Sequence, residues 1–394
     1  MSTLRDETAP VAVVGAGLGG LAAAIGLLQQ GFRVQVFEQA DAFGEVGAGI
    51  SLSPNASKIL AAWGLGEPLA AMASVPRTGN IMNGLTGELI QSQPLGEVLE
   101  QLFGSPYYQV LRPDLHALLV GEVRRLAPDA FRLGCRLVDI EGPEEAPVLV
   151  FANGERAPAS LVIGADGARS VVRALRFVDE PARFTGHIAF RGVLPMAELP
   201  AQYHAPRSVV WLGERRQLVH YPLDNGRALN VVAFVSDVIW DREGWQERAE
   251  LSELREAFAG FCDEATGVLE HFEGRELYKW ALYDRDPVDD WVRGRLVLLG
   301  DAAHPMLPYL GQGAAMAIED AWVLAGVLGQ HEDPADALAD YQARRVERAR
   351  WVLLESREAG RRFHEPGQDE SRFSDDAAMR TRELFAPGPA SLLG

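Results

Sequence analysis

The chain has few lysines and few cysteines, and each scarcity narrows what the protein can be. Only Lys58 and Lys279 are lysines among 394 residues, and 55 acidic residues against 37 lysines and arginines give a formal net charge of −18. Such a surface repels polyanions, so we expect no nucleic acid among its partners. The two cysteines, Cys135 and Cys262, form no CxxC pair, and we expect reduced thiols in a cytoplasmic protein.

No segment predicts a secretion signal or a membrane helix. The first ten residues carry acidic charge and contain no apolar stretch. Residues 11–30 carry no charge and are long enough to span a membrane, but four of the first ten are glycine. A strand, a glycine turn and a helix account for these residues better than one continuous helix does. We expect no membrane partner and no metal site, and a homodimer stays open.

The N-terminal pattern predicts a βαβ unit with parallel strands. Val11–Val14 is a short apolar run, Leu18–Gln30 has the composition of a helix, and Arg33–Glu38 follows as a second strand. Apolar positions recur at helical spacing over Asp114–Leu126. Two more apolar runs end in glycine, as buried parallel strands do, at Leu161–Gly164 and Leu296–Gly300.

A different pattern lies between those last two runs. Residues 207–212, 217–222 and 229–235 alternate as antiparallel strands do, and residues 224–226, Asp-Asn-Gly, are a hairpin signal. The sequence therefore predicts an α/β fold with an inserted, mostly antiparallel β-sheet.

The domain limits follow from these patterns. The first domain is assigned residues 9–72, 105–176 and 276–330, and the inserted domain residues 73–104 and 177–275. Residues 331–394 form the C-terminal segment, with a long charged helix over 334–363 and a polar tail from His364 that we expect to add little to the core.

Residues 15–20, GAGLGG, form a GxGxxG motif directly after the first strand. In such a turn Gly15 permits the tight bend, Gly17 lets a pyrophosphate approach the backbone, and Gly20 lets the helix pack closely on the strand. The helix N-terminus offers free N–H groups to the phosphates. Glu38 ends the second strand where a carboxylate accepts hydrogen bonds from a ribose without a 2′-phosphate. The combination predicts a dinucleotide site.

Two later motifs also place polar residues after strands. Residues 300–313, GDAAHPMLPYLGQG, put Asp301 where a carboxylate can bind a polyol hydroxyl. The turn formed by Gly311, Gln312 and Gly313 then opens a helix whose N–H groups can stabilise a carbonyl or a developing anion. Residues 161–173 contain Asp166 followed by glycine, which alone would be an ordinary turn with an N-cap serine.

Together the three motifs resemble, in order and spacing, the single-component FAD-dependent aromatic hydroxylases, such as p-hydroxybenzoate, salicylate, 3-hydroxybenzoate and 6-hydroxynicotinate hydroxylases. The similarity covers residues 10–360, and residues 300–321 are its most specific part. The resemblance implies a Rossmann-like FAD-binding domain of the p-hydroxybenzoate hydroxylase type with an inserted substrate domain. It also implies FAD as cofactor and NADH or NADPH and O2 as co-substrates. A second GxGxxG fingerprint is absent, in agreement with a family that has no separate nicotinamide domain.

The resemblance also implies which residues would hold FAD along its length. The ADP half would lie on Gly15, Gly17, Gly20 and Glu38, the phosphate or ribityl region on Arg112, and the ribityl chain on Asp301. The pyrimidine side of the isoalloxazine would lie against Gly311, Gln312 and Gly313, its other edge near Gly49 and Ile50, and Asp166 would serve both FAD and the nicotinamide cofactor.

The implied chemistry is hydroxylation of a small aromatic substrate, phenolic and carboxylated, through a flavin C4a-hydroperoxide. That oxidant is an electrophile, so the protein must exclude water, position the ring and help to deprotonate its hydroxyl. The family's substrate face is the inserted sheet. Alternation there places Gln217 and Tyr221 on one face of a strand and His220 on the other.

The candidate catalytic residues are Tyr221, Pro308 and His220. Tyr221 is either the substrate's hydrogen-bonding partner or a core tyrosine. Some relatives carry a histidine base where Gln217 stands, and His220 is the nearest substitute, although its direction suits a structural histidine better. Pro308 would present its carbonyl to the reacting hydroxyl.

Two further residues are expected to line the substrate pocket. Tyr309 would lie in the same pocket as Pro308, and Arg191 is a carboxylate anchor, part of the NAD(P)H route or a surface-paired arginine. Two other functions stay open. One is the same fold acting on a polycyclic natural product or urate, and the other is a nucleotide-sensing protein without turnover, which the Asp301 motif disfavours.

Overall fold

The computed structural model describes residues 4, 5, 7–44, 48–177, 180–236, 238, 240, 247–364 and 376–394. The strands in this part of the chain are β1 (Val11–Val14), β2 (Val34–Phe37), β3 (Gly49–Leu52), β4 (Thr78–Asn83), β5 (Leu89–Pro94), β6 (Tyr108–Leu111), β7 (Phe131–Arg132), β8 (Leu137–Glu141), β9 (Val148–Phe151), β10 (Arg156–Pro158), β11 (Leu161–Gly164), β12 (Arg183–Pro195), β13 (Arg207–Gly213), β14 (Arg216–Leu223), β15 (Ala228–Val235), β16 (Glu247–Arg248), β17 (Tyr278–Asp284), β18 (Val292–Arg293) and β19 (Leu296–Leu298).

The α-helices connect or cover these strands. They are α1 (Leu18–Gln29), α2 (Pro54–Ala62), α3 (Gly66–Met72), α4 (Gly96–Phe103), α5 (Arg112–Leu126), α6 (Val171–Arg176), α7 (Leu251–Ala257), α8 (Asp263–Thr266), α9 (Gly313–Gln330), α10 (Pro334–His364), α11 (Asp376–Phe385) and α12 (Pro389–Leu393).

The predicted βαβ unit is confirmed as the centre of a six-stranded sheet. The strand order is β18-β19-β11-β1-β2-β7. β1 pairs in parallel with β2 on one side and with β11 on the other, and β11 pairs in parallel with β19. All four residues of β1 are buried, which explains why this strand is a continuous apolar run.

Helix α1 is apolar on nearly all sides because α9 packs closely against it. A Cβ on Gly26 of α1 would lie 2.9 Å from the Cβ of Ala325 in α9, so the two backbones approach closely at this glycine. The uncharged stretch 11–30 is therefore a buried strand, turn and helix. Among the described residues, no helix combines the length and apolar character needed to cross a membrane.

The inserted antiparallel sheet is also confirmed, and it has eight strands in the order β16-β17-β12-β15-β14-β13-β4-β5. Residues 224–226 turn the chain between β14 and β15, which pair antiparallel as the Asp-Asn-Gly signal predicts. One face of this sheet packs on α7 and α8 in its own apolar core, which includes Trp211, Phe258 and Phe272. The other face packs against Leu307, which follows β19 of the six-stranded sheet.

The predicted return from the insertion at residue 276 differs from the structure. β17 pairs with β12 and so belongs to the inserted sheet as far as Asp284. The prediction assigned the residues of β17 to the first domain, because their alternating sequence was not distinguished from the α/β pattern that follows. A three-stranded sheet of β8, β9 and β10 was also not predicted.

The expectation that the tail adds little to the core is wrong for its described residues. Leu384 of α11 is a buried member of the main core, and α12 packs against α9. The Lys58 ammonium donates to the carbonyls of residues 385, 386 and 387, and the Trp322 indole donates to the carbonyl of Pro389. Lys58 thereby satisfies carbonyls at the C-terminal end of α11 that would otherwise need water. Residues 365–375 of the predicted tail lie outside the described part of the chain.

Candidate active site

The glycine turn after β1 is closely packed at its first and last glycines and open at its middle one. Gly15 has φ +101°, and a Cβ there would lie 2.6 Å from the carbonyl oxygen of Ala165. A Cβ on Gly20 would lie 2.0 Å from the carbonyl oxygen of Gly15. No atom of the described residues lies within 4 Å of a Cβ built on Gly17, which is the N-cap of α1 and makes no side-chain cap. Gly17 therefore borders open space at a helix N-terminus, as a pyrophosphate site requires.

Glu38 lies directly beside this turn. Its two carboxylate oxygens accept hydrogen bonds from the backbone N–H groups of Ala16 and Ala40, both at 2.9 Å. His116, which the sequence analysis missed, bonds the carbonyl of Ala16 through Nε2 at 2.8 Å. Because each carboxylate oxygen has a second lone pair, Glu38 can still accept hydrogen bonds from a ribose diol.

The GDAAHP motif emerges at the same edge of the sheet as the glycine turn. β1 and β19 both run parallel to β11, so the residues that follow them leave the sheet on the same side. A Cβ on Gly19 would lie 3.0 Å from Leu299 and 3.1 Å from Ala317. The first turn of α1 and the first turns of α9 are thus adjacent.

Asp301 is exposed and faces the start of α9. A Cβ on Gly313 would lie 3.9 Å from Oδ1 of Asp301, and the N-cap residue Gln312 makes no side-chain cap to this helix. Although the Asp301 side chain retains exposed surface, desolvation by the surrounding protein raises the pKa of its carboxyl, and the charges of His304, Arg112 and Arg173 partly offset that rise. An accessible carboxylate beside free helix N–H groups suits a hydroxylated chain such as ribityl.

The side chain of Gln312 points away from this cleft. It is 2% exposed, donates to the Ser53 hydroxyl at 2.9 Å and accepts from the Asn55 amide at 3.3 Å. Asn55 also donates to Glu319 at 2.7 Å. Gln312 therefore fixes the turn from inside, and only its backbone can face a flavin ring.

A buried ion cluster, formed by His304, Glu319, Asp320, Arg345 and Arg348, is hydrogen bonded to the motif of residues 300–313 and fixes its position. Asp320 accepts from His304 at 2.6 Å, from Arg345 at 2.7 Å and from the backbone N–H of residue 300 at 3.0 Å. Burial alone would raise the pKa of Asp320, but the charges of His304 and Arg345 outweigh it and lower the pKa to about 2. Arg345 and Arg348 also bind Glu319 at 2.8 and 2.6 Å.

The carboxylate of Asp166 is hydrogen bonded mainly to residues of the turn that follows it. Its oxygens accept from the Ser170 hydroxyl at 2.5 Å and from the N–H groups of Val171 and Val172 at 2.6 and 3.1 Å. Ser170 caps α6, as the ordinary reading of this motif requires. Arg173, which was not predicted, donates to the carbonyl of Ala302 at 2.6 Å and so links this turn to the Asp301 motif.

The two-stranded sheet of β3 and β6 lies against the inserted sheet. Gly49 donates its N–H to Oδ1 of Asn230 at 2.9 Å, and the N–H of Arg112 donates to the carbonyl of Ala48 at 2.8 Å. On the other side of the strand, a Cβ on Gly311 would lie 3.7 Å from the Cβ of Ser51. The predicted flavin-edge residues Gly49 and Ile50 are thus near both the Gly311 turn and the inserted sheet.

The inserted sheet presents the predicted face of β14 to this region. Tyr221 lies opposite Asn230 and Gln217 opposite Phe234. Phe234 belongs to an apolar cluster with Leu307, which lies in the motif of residues 300–313, and Val219, Trp280 and Tyr309 pack against this cluster. Tyr221 is 8% exposed, and its hydroxyl makes no hydrogen bond to the described residues. The sheet and the motif therefore meet through mostly apolar side chains with few polar groups, a composition that small-molecule sites share.

His220 is withdrawn from the candidate catalytic residues. It lies on the opposite face of β14, where its Nε2 accepts a hydrogen bond from the Trp211 indole at 3.2 Å and its ring packs on Tyr203. Burial lowers the pKa of His220 to about 3. The histidine is therefore a neutral member of the inserted sheet's own core, because alternation directs it away from the cleft.

Tyr309 is held between the two domains. Its ring lies 5.2 Å from that of Phe234 and its hydroxyl is hydrogen bonded to Nδ1 of His187. A Cβ on Gly360 of α10 would lie 2.5 Å from the Tyr309 ring, so this helix approaches closely. His187 was missed, although the preceding glycine within a strand signals the bulge in β12 that directs its side chain.

Pro308 and Arg191, the two remaining candidate residues, each already make a contact within the protein. The carbonyl of Pro308 accepts from the N–H of Gly311 at 3.0 Å, which leaves one lone pair for another donor. Arg191 lies on β12, on the same face of the inserted sheet as Trp280, with its guanidinium 4.9 Å from the centre of the Trp280 ring.

Asn230 was not predicted, although an asparagine among the apolar residues of β15 is a signal for a buried polar role.

The residues therefore fit FAD: a glycine turn open at Gly17, an acid beside it, and an exposed Asp301 next to the start of α9. The FAD-binding domain family matches residues 8–356. This chain belongs to that FAD-binding family. A relative, 3-amino-4-hydroxybenzoate 2-monooxygenase of Streptomyces platensis, is 37% identical over 97% of this chain and 95% of its own length. The 6-hydroxynicotinate 3-monooxygenase of Pseudomonas fluorescens is 39% identical over 87% and 89%.

A solved structure gives the same result for the fold. A salicylate hydroxylase in a substrate complex has a TM-score of 0.83 and 28% identity, and the match covers 99% of this chain and 97% of that one. The chain is thus an FAD-dependent flavoprotein monooxygenase with the p-hydroxybenzoate hydroxylase fold. In this FAD-binding family, bound FAD supplies hydride acceptance from NAD(P)H and activation of O2.

Proposed function

We propose that this enzyme hydroxylates a small aromatic ring that carries a hydroxyl group and a carboxylate. The observation that carries the proposal is the Tyr221 hydroxyl, which lies on the same face of the inserted sheet as Asn230 and makes no hydrogen bond to the described residues. The relatives named for 3-amino-4-hydroxybenzoate, 6-hydroxynicotinate and salicylate support the same substrate class.

Tyr221 is suited to hold the substrate's hydroxyl. Burial raises the pKa of Tyr221 far above neutrality, and nearby Tyr107 adds to the rise. The residue therefore keeps its proton and acts as a hydrogen-bond donor rather than as a base. Donation to an ionised substrate oxygen stabilises the phenolate, which is the electron-rich form that an electrophilic oxidant attacks.

The other groups around the cleft position the ring and keep it dry. Phe234, Leu307 and Trp280 supply apolar surface that excludes water from the reacting atoms. Pro308 retains one carbonyl lone pair for a proton on the substrate's hydroxyl. Arg191, on the same face, is the nearest predicted partner for a carboxylate, and its planar guanidinium suits bidentate binding.

The experiment is a substrate panel tested on the purified holoenzyme. Hydroxybenzoates, hydroxylated pyridine carboxylates, urate and a polycyclic phenol are each supplied with NADH or NADPH, and products are analysed by mass spectrometry under 18O2. We expect one 18O atom in the ring of a hydroxybenzoate or hydroxypyridine carboxylate. Oxygen transfer to urate or the polycyclic phenol alone would contradict the proposal, as would NAD(P)H oxidation that yields only hydrogen peroxide throughout the panel.

A further inference from the structure

The orientation of the Asn230 amide is fixed by its contact with the backbone. Its Oδ1 accepts the N–H of Gly49 at 2.9 Å. Since a backbone N–H can only donate, the atom that faces it must be oxygen, and the amide cannot be turned over. Nδ2 is therefore the other atom of the group and points away from Gly49.

Nδ2 of Asn230 is a buried donor without an acceptor among the described residues. Asn230 is 1% exposed and its Nδ2 has no hydrogen-bond partner. The residues that pair with it across the sheet are Val193 and Tyr221, and neither carries an anion. A buried donor of this kind costs free energy unless a ligand or water accepts from it.

A second donor lies beside the first. Tyr221 is directly opposite Asn230 on the same face of the sheet, and its hydroxyl also has no partner in the described chain. A Cβ on Gly49 would lie 2.7 Å from Cγ of Asn230 and 2.8 Å from the Tyr221 ring. Only glycine at position 49 therefore lets the amide and the phenol ring meet over the β3 backbone.

We propose that Asn230 is a substrate-binding residue, whose Nδ2 and the Tyr221 hydroxyl together bind one oxygen anion carried by the aromatic ring. This inference rests on the proposed function. Two neutral donors suit an oxyanion better than a cationic group would where the ring must remain free to react, since they bind it without neutralising its charge. The oxygen is the substrate's phenolate, in line with the role proposed for Tyr221; a carboxylate offers the same acceptor, and the test distinguishes the two.

The test compares Asn230→Asp with wild-type holoenzyme and with Asn80→Asp. Aspartate keeps an oxygen for the Gly49 N–H and replaces the Nδ2 donor by an acceptor, so it should repel the anion. Asn80 lies in β4 of the same sheet, where its side chain bonds Ser92 at the surface. We expect Asn230→Asp to weaken equilibrium binding of 3-hydroxybenzoate to the oxidised holoenzyme by about tenfold or more. Asn80→Asp should bind it as wild type does.

Two simpler ligands identify the oxygen. A loss confined to benzoate assigns the site to the carboxylate, and a loss confined to phenol assigns it to the phenolate. Unchanged binding of all three ligands by Asn230→Asp overturns the proposal, and so does a wild-type protein that binds none of them. Loss of FAD affinity with unchanged ligand affinity would place the donor on the flavin and also overturn it.

A second variant distinguishes a folding failure of Asn230→Asp from a loss of ligand binding. Asn230→Ser retains a hydroxyl but is too short to offer both groups, and it should show the same loss of ligand affinity if Asn230→Asp does not retain FAD. The proposed function is judged separately by product formation in wild type. Hydroxylation by wild type together with unchanged binding by both variants would reject the role of Asn230 alone.

Discussion

Asp301 and Gly313 face each other across the mouth of the cleft: a Cβ on Gly313 would lie only 3.9 Å from Oδ1 of Asp301. The carboxylate and the first turn of α9 thereby form one polar surface at the carboxyl edge of the six-stranded sheet. The open side of Gly17 lies at the same edge, at the start of α1. An extended cofactor can therefore contact both motifs with its phosphates and its hydroxylated chain.

Replacing Gly17 by alanine should affect the cofactor without affecting the fold. Gly17 has φ −71°, which alanine adopts, and a Cβ there has no neighbour within 4 Å in the described part of the chain. We expect Gly17→Ala to unfold at the wild-type temperature as apoprotein but to bind FAD at least about tenfold more weakly, because the methyl group enters the phosphate path. FAD titration and thermal unfolding of the apoprotein measure the two quantities.

The matched control is Gly121→Ala in α5. A Cβ on Gly121 also meets nothing within 4 Å, but it lies on an exposed helix surface. This variant should be stabilised by about 0.5–1 kcal/mol with unchanged FAD affinity. Equal loss of FAD affinity in both variants would argue against a phosphate site at Gly17.

Removal of the Tyr221 hydroxyl should slow hydroxylation. Tyr221→Phe keeps the ring that packs beside Gly49 and deletes only the donor, so we expect kcat/KM for the ring substrate to fall by about 10- to 100-fold. Steady-state product formation measures the effect. Tyr203→Phe, in the core on the opposite face of the sheet, should leave kcat/KM unchanged, and a similar fall in both variants would indicate a general loss of structure.

His220 should make the stability of the inserted sheet depend on pH. Burial lowers its pKa from 6.5 to about 3, so between these values the unfolded chain binds a proton that the folded chain does not. The free energy of unfolding should therefore fall as pH decreases through this window, by about 1.4 kcal/mol per pH unit from this group. Above pH 6.5 this histidine is neutral in the folded and in the unfolded chain, so it no longer makes the free energy of unfolding depend on pH.

His220→Gln tests this pH dependence, since glutamine can still accept from the Trp211 indole. Denaturant unfolding at several pH values should show a shallower slope between pH 3 and 6.5, with hydroxylation at neutral pH retained. A slope identical to that of wild type would assign the dependence to other groups.

Arg345 should be essential for stability although it lies away from the cleft. It is fully buried and compensates both Glu319 and Asp320. Arg345→Met would leave two buried carboxylates without this partner, and we expect the free energy of unfolding to fall by about 3–5 kcal/mol. Arg350→Met, on the same helix and paired only at the surface, should cost much less. Similar losses in the two variants would show that the buried ion cluster is not a special source of stability.

Local sequence patterns predict the parts of this protein that depend on local geometry. The run Val11–Val14, the GxGxxG turn and the Asp-Asn-Gly hairpin each adopt the expected backbone because the responsible residues are adjacent in the chain. Alternation along β14 also predicts the side on which His220 and Tyr221 lie.

Contacts between distant segments were not predictable in the same way. The hydrogen bond from Gly49 to Asn230 joins residues 181 positions apart, and no local pattern indicates it. His187 reaches Tyr309 only because β12 contains a bulge. The tail was expected to be peripheral because its composition is polar, yet its backbone carbonyls are bound by Lys58 and Trp322.

The most direct test of an FAD lying from Glu38 to Asp301 is to compare FAD with FMN, which lacks the adenosine half. Dissociation constants of both flavins are measured for wild type, Glu38→Gln and Asp301→Asn. Glu38→Gln should weaken FAD by about tenfold and leave FMN unchanged, whereas Asp301→Asn should weaken both. Unchanged affinity of Asp301→Asn for both flavins, or equal losses of FAD and FMN in Glu38→Gln, would contradict this placement.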